Sequence, residues 1–97
     1  MLTILLVAYP FAAVGPDAVG GAEQVLSTLD HALVAGGHRS LVVAREDSSV
    51  AGRLLPIPRA PAEITVPTFA EVHAHVRRTL AAAVAREAPD VVHLHGV

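Results

Sequence analysis

Two short apolar runs flank a segment with helical periodicity, and this arrangement restricts the fold more than any other feature of the sequence. Residues 2–8 and 40–44 are continuous aliphatic stretches, typical of strands buried on both faces of a parallel sheet. Between them, apolar residues recur at the spacing of one helix face, from Gly21 to the Gly36-Gly37 pair that ends the helix. That stripe consists of Ala22, Val25, Leu26, Leu29, Ala32 and Leu33. Strand, helix and strand in residues 2–44 predict one βαβ unit.

The second half of the chain predicts two more strands and a second helix. Residues 54–57 suit a short edge strand, because the proline within them cannot donate to a ladder. Thr68 is predicted as the N-cap of the helix, with Glu71 three residues later completing a capping box. The helix should end near Ala88, before Pro89, and residues 91–95 form the last strand. The apolar stripe of this helix is Phe69, Val72, Val76, Leu80, Ala83 and Val84.

Right-handed crossovers then predict the topology. If each helix returns across a different face, the result is an α/β, Rossmann-like parallel sheet with strand order 3-2-1-4 and helices on both faces. Ligands of open α/β sheets bind at the carboxyl ends of the strands, at the point where the strand order reverses. The sequence therefore predicts that the loop of residues 9–21 and the segment of residues 95–97 face each other across one crevice.

Composition excludes several classes of function. The chain has 97 residues, enough for one domain, with a net charge of -2, no Lys and no Cys. A basic nucleic-acid footprint, thiolate metal sites and thiol catalysis are therefore not expected. The longest apolar run, residues 4–14, is interrupted by Tyr9 and Pro10 and is shorter than the ~20 residues of a spanning helix. No basic residue precedes it, so a signal peptide is not expected either. The mean hydropathy of +0.52 suggests that part of the surface has a covering partner.

The candidate site begins with Gly20-Gly21-Ala22-Glu23, where the first helix starts. Glycines allow close approach of a ligand, and free N–H groups with the helix dipole favour an anion such as phosphate or diphosphate. The alternative is a plain glycine turn that leads into a helix. A P-loop is excluded because Gly21-Ala22 stands where that motif has Lys-Ser/Thr, and the G-x-G-x-x-G pattern of dinucleotide sites is absent.

Histidines supply the other candidates. His93 and His95 alternate on a strand and should share a face, with His95 at the carboxyl end within reach of a ligand and His93 deeper and packed. A metal pair is an alternative interpretation, but no carboxylate motif accompanies it, and we predict no metal site. His73 and His75 are expected on the solvated surface, and His38 beside the helix end is expected to be structural.

Taken together, four segments resemble the N-terminal domain of family 4 type GT-B glycosyltransferases. Ile4-Leu5-Leu6-Val7 followed by Tyr9-Pro10 is similar to the first strand and loop of that family, and Gly20-Gly21-Ala22-Glu23 matches its glycine-rich helix start. The segment from Leu33 to Val43, with Gly36-Gly37-His38, resembles its helix end and second strand. Pro89-Asp90-Val91-Val92-His93-Leu94-His95-Gly96 resembles its fourth strand. Residues 46–67 carry no match.

The resemblance implies a retaining sugar transfer from a nucleotide-diphosphate sugar to a sugar or lipid acceptor, without a cofactor. Gly20 and Gly21, with Ala22 and Glu23, would approach the donor diphosphate or an acceptor anion, and His95 would contact the donor sugar near the reacting carbon. Residues 1–97 would be the acceptor-side part of an incomplete GT-B N-terminal domain. The nucleotide pocket and paired-glutamate motif of the C-terminal domain would be missing, so the isolated chain should be inactive.

The resemblance also implies a cytoplasmic location. The alternative that it allows is peripheral association with the inner face of the membrane. Two other interpretations stay open at this point. One is a small α/β anion-binding or interaction module without catalysis. The other is a metal-dependent hydrolase that uses His93 and His95.

Overall fold

Six elements alternate along the chain in the computed structural model, which describes residues 1–95. They are β1 (Thr3–Val7), α1 (Gly21–Ala35), β2 (Arg39–Arg45), β3 (Arg53–Ile57), α2 (Val66–Glu87) and β4 (Val91–Leu94). The four strands form one sheet in the order β3-β2-β1-β4, and every neighbouring pair is parallel. The predicted Rossmann-like α/β class and the 3-2-1-4 order are confirmed. β3, with Pro56 in it, lies at an edge as predicted.

Each face of the sheet carries one helix, because alternate strand residues point to opposite sides. The face covered by α1 contains the buried side chains Ile4, Leu6, Ala8, Val14, Leu26, Val42 and Ala44. The face covered by α2 contains Leu5, Val7, Leu41, Val43, Leu55, Ile57, Val72, Val76 and Ala83. Successive residues of β1 and β2 therefore pack into the cores on opposite faces of the sheet. This is why apolar and polar residues do not alternate along these two strands.

The face that α1 buries differs from the predicted stripe. Leu26 is buried as expected, but Ala22, Val25 and Ala32 are exposed. Three polar residues are buried in their place, Glu23, Ser27 and Asp30. The helix is rotated about its axis because the Asp30 carboxyl group accepts hydrogen bonds at the amino edge of the sheet.

Asp30 joins three segments through its two carboxyl oxygens. Oδ1 accepts from the Ser40 hydroxyl at 2.7 Å and from the Gly52 N–H at 3.1 Å, and Oδ2 accepts from the Ala51 N–H at 2.6 Å. The side chain has no exposed surface. A single buried carboxyl group thus fastens α1 to the start of β2 and to the turn before β3, which is the edge opposite the predicted ligand site.

The start of α2 corrects another prediction. The N-cap is Thr65, not Thr68, and its hydroxyl accepts from the Thr68 N–H at 3.3 Å. Pro67 fits in the first turn because the N–H it lacks would have no partner in the helix. With the cap three residues earlier, Glu71 lies inside the helix and forms no capping box. Within residues 1–95, neither helix has the length and apolar character needed to cross a bilayer.

The other end of α2 stores backbone strain at Ala88. This residue has φ 43° and ψ 58°, the left-handed conformation that glycine adopts without a Cβ clash. Replacing Ala88 with Gly should therefore raise the free energy of unfolding by about 1 kcal/mol and the melting temperature by about 4–8 °C. Thermal unfolding followed by circular dichroism measures the shift. Ala85→Gly, inside the same helix, is the control and should destabilise the protein.

Glu87 ties the end of α2 to the amino ends of β2 and β3. Its carboxylate accepts from Arg39 at 2.6 Å and from Arg53 at 3.1 Å. The hydrogen bond from Arg39, followed by the charges of Arg39, Arg53 and Arg86, holds the pKa of Glu87 below its ordinary value. A carboxyl group with a lowered pKa in the folded state stabilises the protein above the pKa of the unfolded chain, and this contribution is lost as the pH falls through the folded value.

Glu87→Gln should therefore destabilise the protein at pH 7, with a deficit that shrinks as the pH falls below about 4.3. Urea unfolding of both proteins at pH 7, 5 and 3 measures this convergence. Glu63→Gln is the matched control, because Glu63 is exposed and forms no ion pair within residues 1–95. A deficit that stayed constant down to pH 3 would contradict the assignment.

Within the described part of the chain, β1 is the one strand that pairs with β4. The Asp90 N–H donates to the Thr3 carbonyl oxygen, the Thr3 N–H donates to the Asp90 carboxylate at 2.7 Å, and the His95 N–H donates to the Val7 carbonyl oxygen. All four residues of β4 are exposed, with Leu94 at 60%. Its other edge has no strand partner within residues 1–95.

A candidate ligand groove at the carboxyl edge of the sheet

An open groove of about 680 Å³ runs between α1 and β4. Gly21 lies where α1 begins, and His95 directly follows the carboxyl end of β4. The lining residues are Gly21, Gln24, Val25, Thr28, Leu29, Ala32, His93 and His95. The apolar residues that α1 does not bury, Val25 and Ala32, form part of this wall. The groove follows α1 from Gly21 to Ala32, and its end at Gly21 and His95 lies at the carboxyl edge, where the switch point between β1 and β4 is predicted.

The structure thus brings together part of what the sequence predicted. Gly21 and His95 line one groove, although they are far apart in sequence. Most of the loop before α1 is elsewhere, since residues 13–18 line a separate cavity of about 270 Å³ with Asp47 and Ser49. Gly20, Ala22 and Glu23, which were also predicted to approach the ligand, do not line the groove. Gly96 and Val97 lie outside the described residues.

The two histidines of the groove share a face, as expected from their spacing. His93 Nε2 lies 3.2 Å from His95 Nδ1, and the ring centroids are 5.4 Å apart at an angle of 28°. Their predicted depths are reversed, however: His93 is exposed and His95 is half-buried. Every residue of β4 is exposed, so depth along the strand does not decide which histidine is buried. The bond to His93 leaves Nε2 of His95 available to a ligand.

Glu23 changes the interpretation of the glycine-rich helix start. Its side chain is 8% exposed and folds back so that its carboxylate contacts the position a Gly20 Cβ would occupy. The N-terminal end of a helix favours a negative charge, and here the protein supplies one itself. Gly20 is the N-cap and makes no side-chain cap bond, while a methyl group placed at Gly21 would meet nothing within 4 Å. The absence of a side chain at Gly20 leaves space for the Glu23 carboxylate. The absence of a side chain at Gly21 leaves this end of the groove open.

An aromatic cluster that was not predicted from the sequence lies on the α2 side of the sheet. Phe11 stacks on Phe69 with centroids 5.3 Å apart, Tyr9 lies 5.4 Å from Phe11, and His73 lies 4.3 Å from Phe69. His73 and His75, both predicted on the solvated surface, are half-buried. Nε2 of His73 is buried without a hydrogen-bond partner among residues 1–95. The i, i+4 spacing of Phe69 and His73 indicates that these two side chains are neighbours on the helix. Nothing in the sequence indicates that they pack against the loop that follows β1.

Charged residues at the end of β2 support this loop. Arg45 donates to both carboxylate oxygens of Asp47, at 2.6 and 2.8 Å, and to the Phe11 carbonyl oxygen at 3.2 Å. The hydrogen bond from Arg45 lowers the pKa of Asp47, and the same bond raises the pKa of Arg45. Arg45 is half-buried and positions the segment that carries Tyr9 and Phe11.

Other predicted roles can be assigned around these features. His38 Nδ1 accepts from the Leu2 N–H at 3.0 Å, which is a structural role as expected. Residues 1–95 contain no group of three or more His, Cys, Asp or Glu side chains placed to hold a metal ion. His93 and His95 would need a third ligand that these residues do not provide, so the hydrolase interpretation gains no support.

Comparison with known proteins adds no relative to these observations: no family model matches the sequence, and no curated protein matches it significantly.

Proposed function

We propose that this chain is the acceptor-side, N-terminal part of a retaining glycosyltransferase, and that the groove between α1 and β4 holds part of a nucleotide-diphosphate sugar. The supporting observation is that the start of α1 at Gly21 and the ring of His95 line one groove at the switch point of a 3-2-1-4 sheet. The sequence resemblance supplies the reaction class. A second, nucleotide-binding domain belongs to the proposed enzyme.

The start of α1 would act on the diphosphate. The first N–H groups of a helix have no partner within it and point outward. Together with the helix dipole they would stabilise the negative charge that grows on a departing diphosphate. The Glu23 carboxylate lies close to the same helix end, so a bound diphosphate would have to displace or outcompete it. The groove should therefore bind a free diphosphate weakly and bind more tightly once Glu23 is neutral.

His95 would act on the sugar. When His93 Nε2 carries the proton and donates to His95 Nδ1, the Nε2 atom of His95 is protonated and can donate to a sugar oxygen. His93 would then be a positioning residue that selects this tautomer. The assignment of His95 as a contact to the donor sugar rests on this geometry and on the resemblance. No side chain in the groove is assigned as a nucleophile.

An anion-binding module without catalysis is the second candidate. It is favoured by one observation: both walls of the groove come from this chain alone. In that case a phosphate or diphosphate would bind without a sugar or a second domain. The two candidates differ in whether a sugar attached to the diphosphate increases the affinity.

A titration followed by ¹⁵N NMR tests the proposal, with pyrophosphate, UDP, GDP and the matching nucleotide sugars as ligands. We expect shifts at Gly21 and His95, a severalfold loss of affinity in His95→Ala, and a severalfold gain in Glu23→Gln. His31→Ala is the control, because His31 is exposed on α1 but does not line the groove. Equal affinity with and without the sugar would favour the anion-binding module. Shifts that avoid the groove for every ligand would refute both candidates.

A further inference from the structure

A third cavity lies at the other side of the sheet, between α2 and the segment that follows β3. Its volume is about 420 Å³, within the usual range for small-molecule sites. The apolar part of its wall includes Ile57, Val72, Ala60 and Pro61. None of its lining residues belongs to the groove between α1 and β4, because it uses β3 and α2 rather than β4 and α1. It is therefore independent of the proposed function.

Two guanidinium groups from different elements line this cavity. Arg78 comes from α2, and its one polar contact among residues 1–95 is His75 Nδ1 at 3.4 Å. Arg59 comes from the segment after β3 and lies 3.7 Å from the Asp47 carboxylate, beyond hydrogen-bond distance. Both side chains are exposed and keep most of their donors free. Glu71 is the one carboxylate in the wall, so the lining carries an excess of positive charge.

This combination of charge and apolar wall distinguishes the cavity from the two described above, while an adjoining cavity of about 200 Å³ shares Arg59 and adds Arg45 and Phe11. Among residues 1–95, the groove between α1 and β4 has no Arg, Asp or Glu in its lining, and the cavity of residues 13–18 has Asp17 and Asp47 as its charged groups. Guanidinium groups suit phosphate oxygens because their planar N–H forks match them. Two such groups on the rim of an apolar cavity match a dianion attached to a small apolar body.

We propose that this cavity binds a phosphate monoester of a small apolar group, with Arg78 and Arg59 on the phosphate and the apolar wall against the organic part. Both halves of the ligand contribute to the affinity. Inorganic phosphate alone should therefore bind more weakly than the ester, and the uncharged alcohol should bind more weakly still.

Phenyl phosphate is the probe, compared with phenol and with inorganic phosphate, in a ¹⁵N NMR titration of the whole chain. We expect phenyl phosphate to shift the amides of residues 57–61 and 71–78. Arg78→Gln should weaken its binding by about tenfold, as expected for one charge-assisted hydrogen-bonding group. Arg77→Gln is the matched control: Arg77 is the exposed neighbour on the same helix but does not line the cavity, and its loss should change the affinity by less than about twofold.

Two further variants sharpen the test. Arg59→Gln should weaken phenyl phosphate binding by a factor similar to that of Arg78→Gln, whereas Glu71→Gln should strengthen it by removing the opposing carboxylate. Equal losses in the Arg77 and Arg78 variants would mean that the helix attracts anions without a site and would overturn the proposal. Shifts at Gly21 and His95 in place of residues 57–61 would overturn it as well. Failure of nucleotide sugars to bind the other groove would leave this outcome unaffected.

Discussion

Replacing Asp30 with alanine is expected to lower the free energy of unfolding by about 3 kcal/mol or more. The substitution removes the acceptor for three hydrogen bonds, from the Ser40 hydroxyl and from the Ala51 and Gly52 N–H groups. The two backbone donors would lose their partner at a site with no exposed carboxyl surface. Because a domain of this size is stable by only about 5–15 kcal/mol, this is a large fraction of the total.

Urea unfolding at pH 7 measures the effect, and two controls define its cause. Asp30→Asn keeps one acceptor oxygen and the shape of the side chain, so its loss should be smaller than that of Asp30→Ala. Asp17→Ala removes an exposed carboxylate from a loop and should change stability by less than about 0.5 kcal/mol. A similar small effect for Asp30→Ala would show that water replaces the carboxyl group and would contradict the role assigned to it.

The second large effect is expected for Gly52→Ala, at about 2–3 kcal/mol. A Cβ atom at Gly52 would collide with the Ser40 carbonyl oxygen and would lie 2.8 Å from Ser40 Cβ. The obstacle is the backbone of β2, not the end of a flexible side chain, so β2 or the turn before β3 must shift. That shift would also lengthen the bond from the Gly52 N–H to Asp30.

Gly21→Ala is the matched control for Gly52→Ala. A methyl group there meets nothing within 4 Å, and the residue is the first of a helix, so stability should stay constant or rise. The double variant of Asp30 and Gly52 should lose less than the sum of the two single losses, because both act on the same hydrogen bond. If the two losses in the free energy of unfolding were additive, the effect of Gly52→Ala would be independent of the hydrogen bonds to Asp30.

The strand order could be predicted from the sequence because several strong signals agree. The apolar runs of β1 and β2 admit burial on both faces, the prolines assign β3 to an edge, and the handedness of crossovers leaves one arrangement for β4. These signals come from local composition and from a general rule of chain geometry. None requires knowledge of which side chains meet, so side-chain packing did not limit the prediction of strand order.

The rotation of α1 could not be predicted for the opposite reason. Periodicity selects the most apolar face, but Asp30 accepts from Ser40, Ala51 and Gly52, which are 10 to 22 residues away. Nothing in the sequence around Asp30 identifies those donors. The position of the Glu23 carboxylate beside Gly20 could not be predicted either, because it accompanies burial of the Glu23 side chain. The surroundings of His73 could not be predicted because Phe11 comes from a distant loop.

The site was predicted in outline only. The juxtaposition of Gly21 and His95 follows from topology, which is predictable, while the relative exposure of His93 and His95 depends on what covers β4. The cavity between α2 and the segment after β3 corresponds to no sequence motif. Arg59 and Arg78 are separated in sequence, and single arginines at such spacing are common on solvated surfaces.

The weak attachment of β4 has a consequence for how its histidines respond to a ligand. With one neighbouring strand among residues 1–95 and no buried side chain of its own, β4 should have the lowest amide-exchange protection of the sheet and open without global unfolding. A ligand that touches both α1 and His95 can bind only when β4 is in place, so binding and strand docking are linked equilibria. Saturating ligand should therefore slow exchange in β4 far more than in β2, and part of the intrinsic affinity would be consumed in closing the strand.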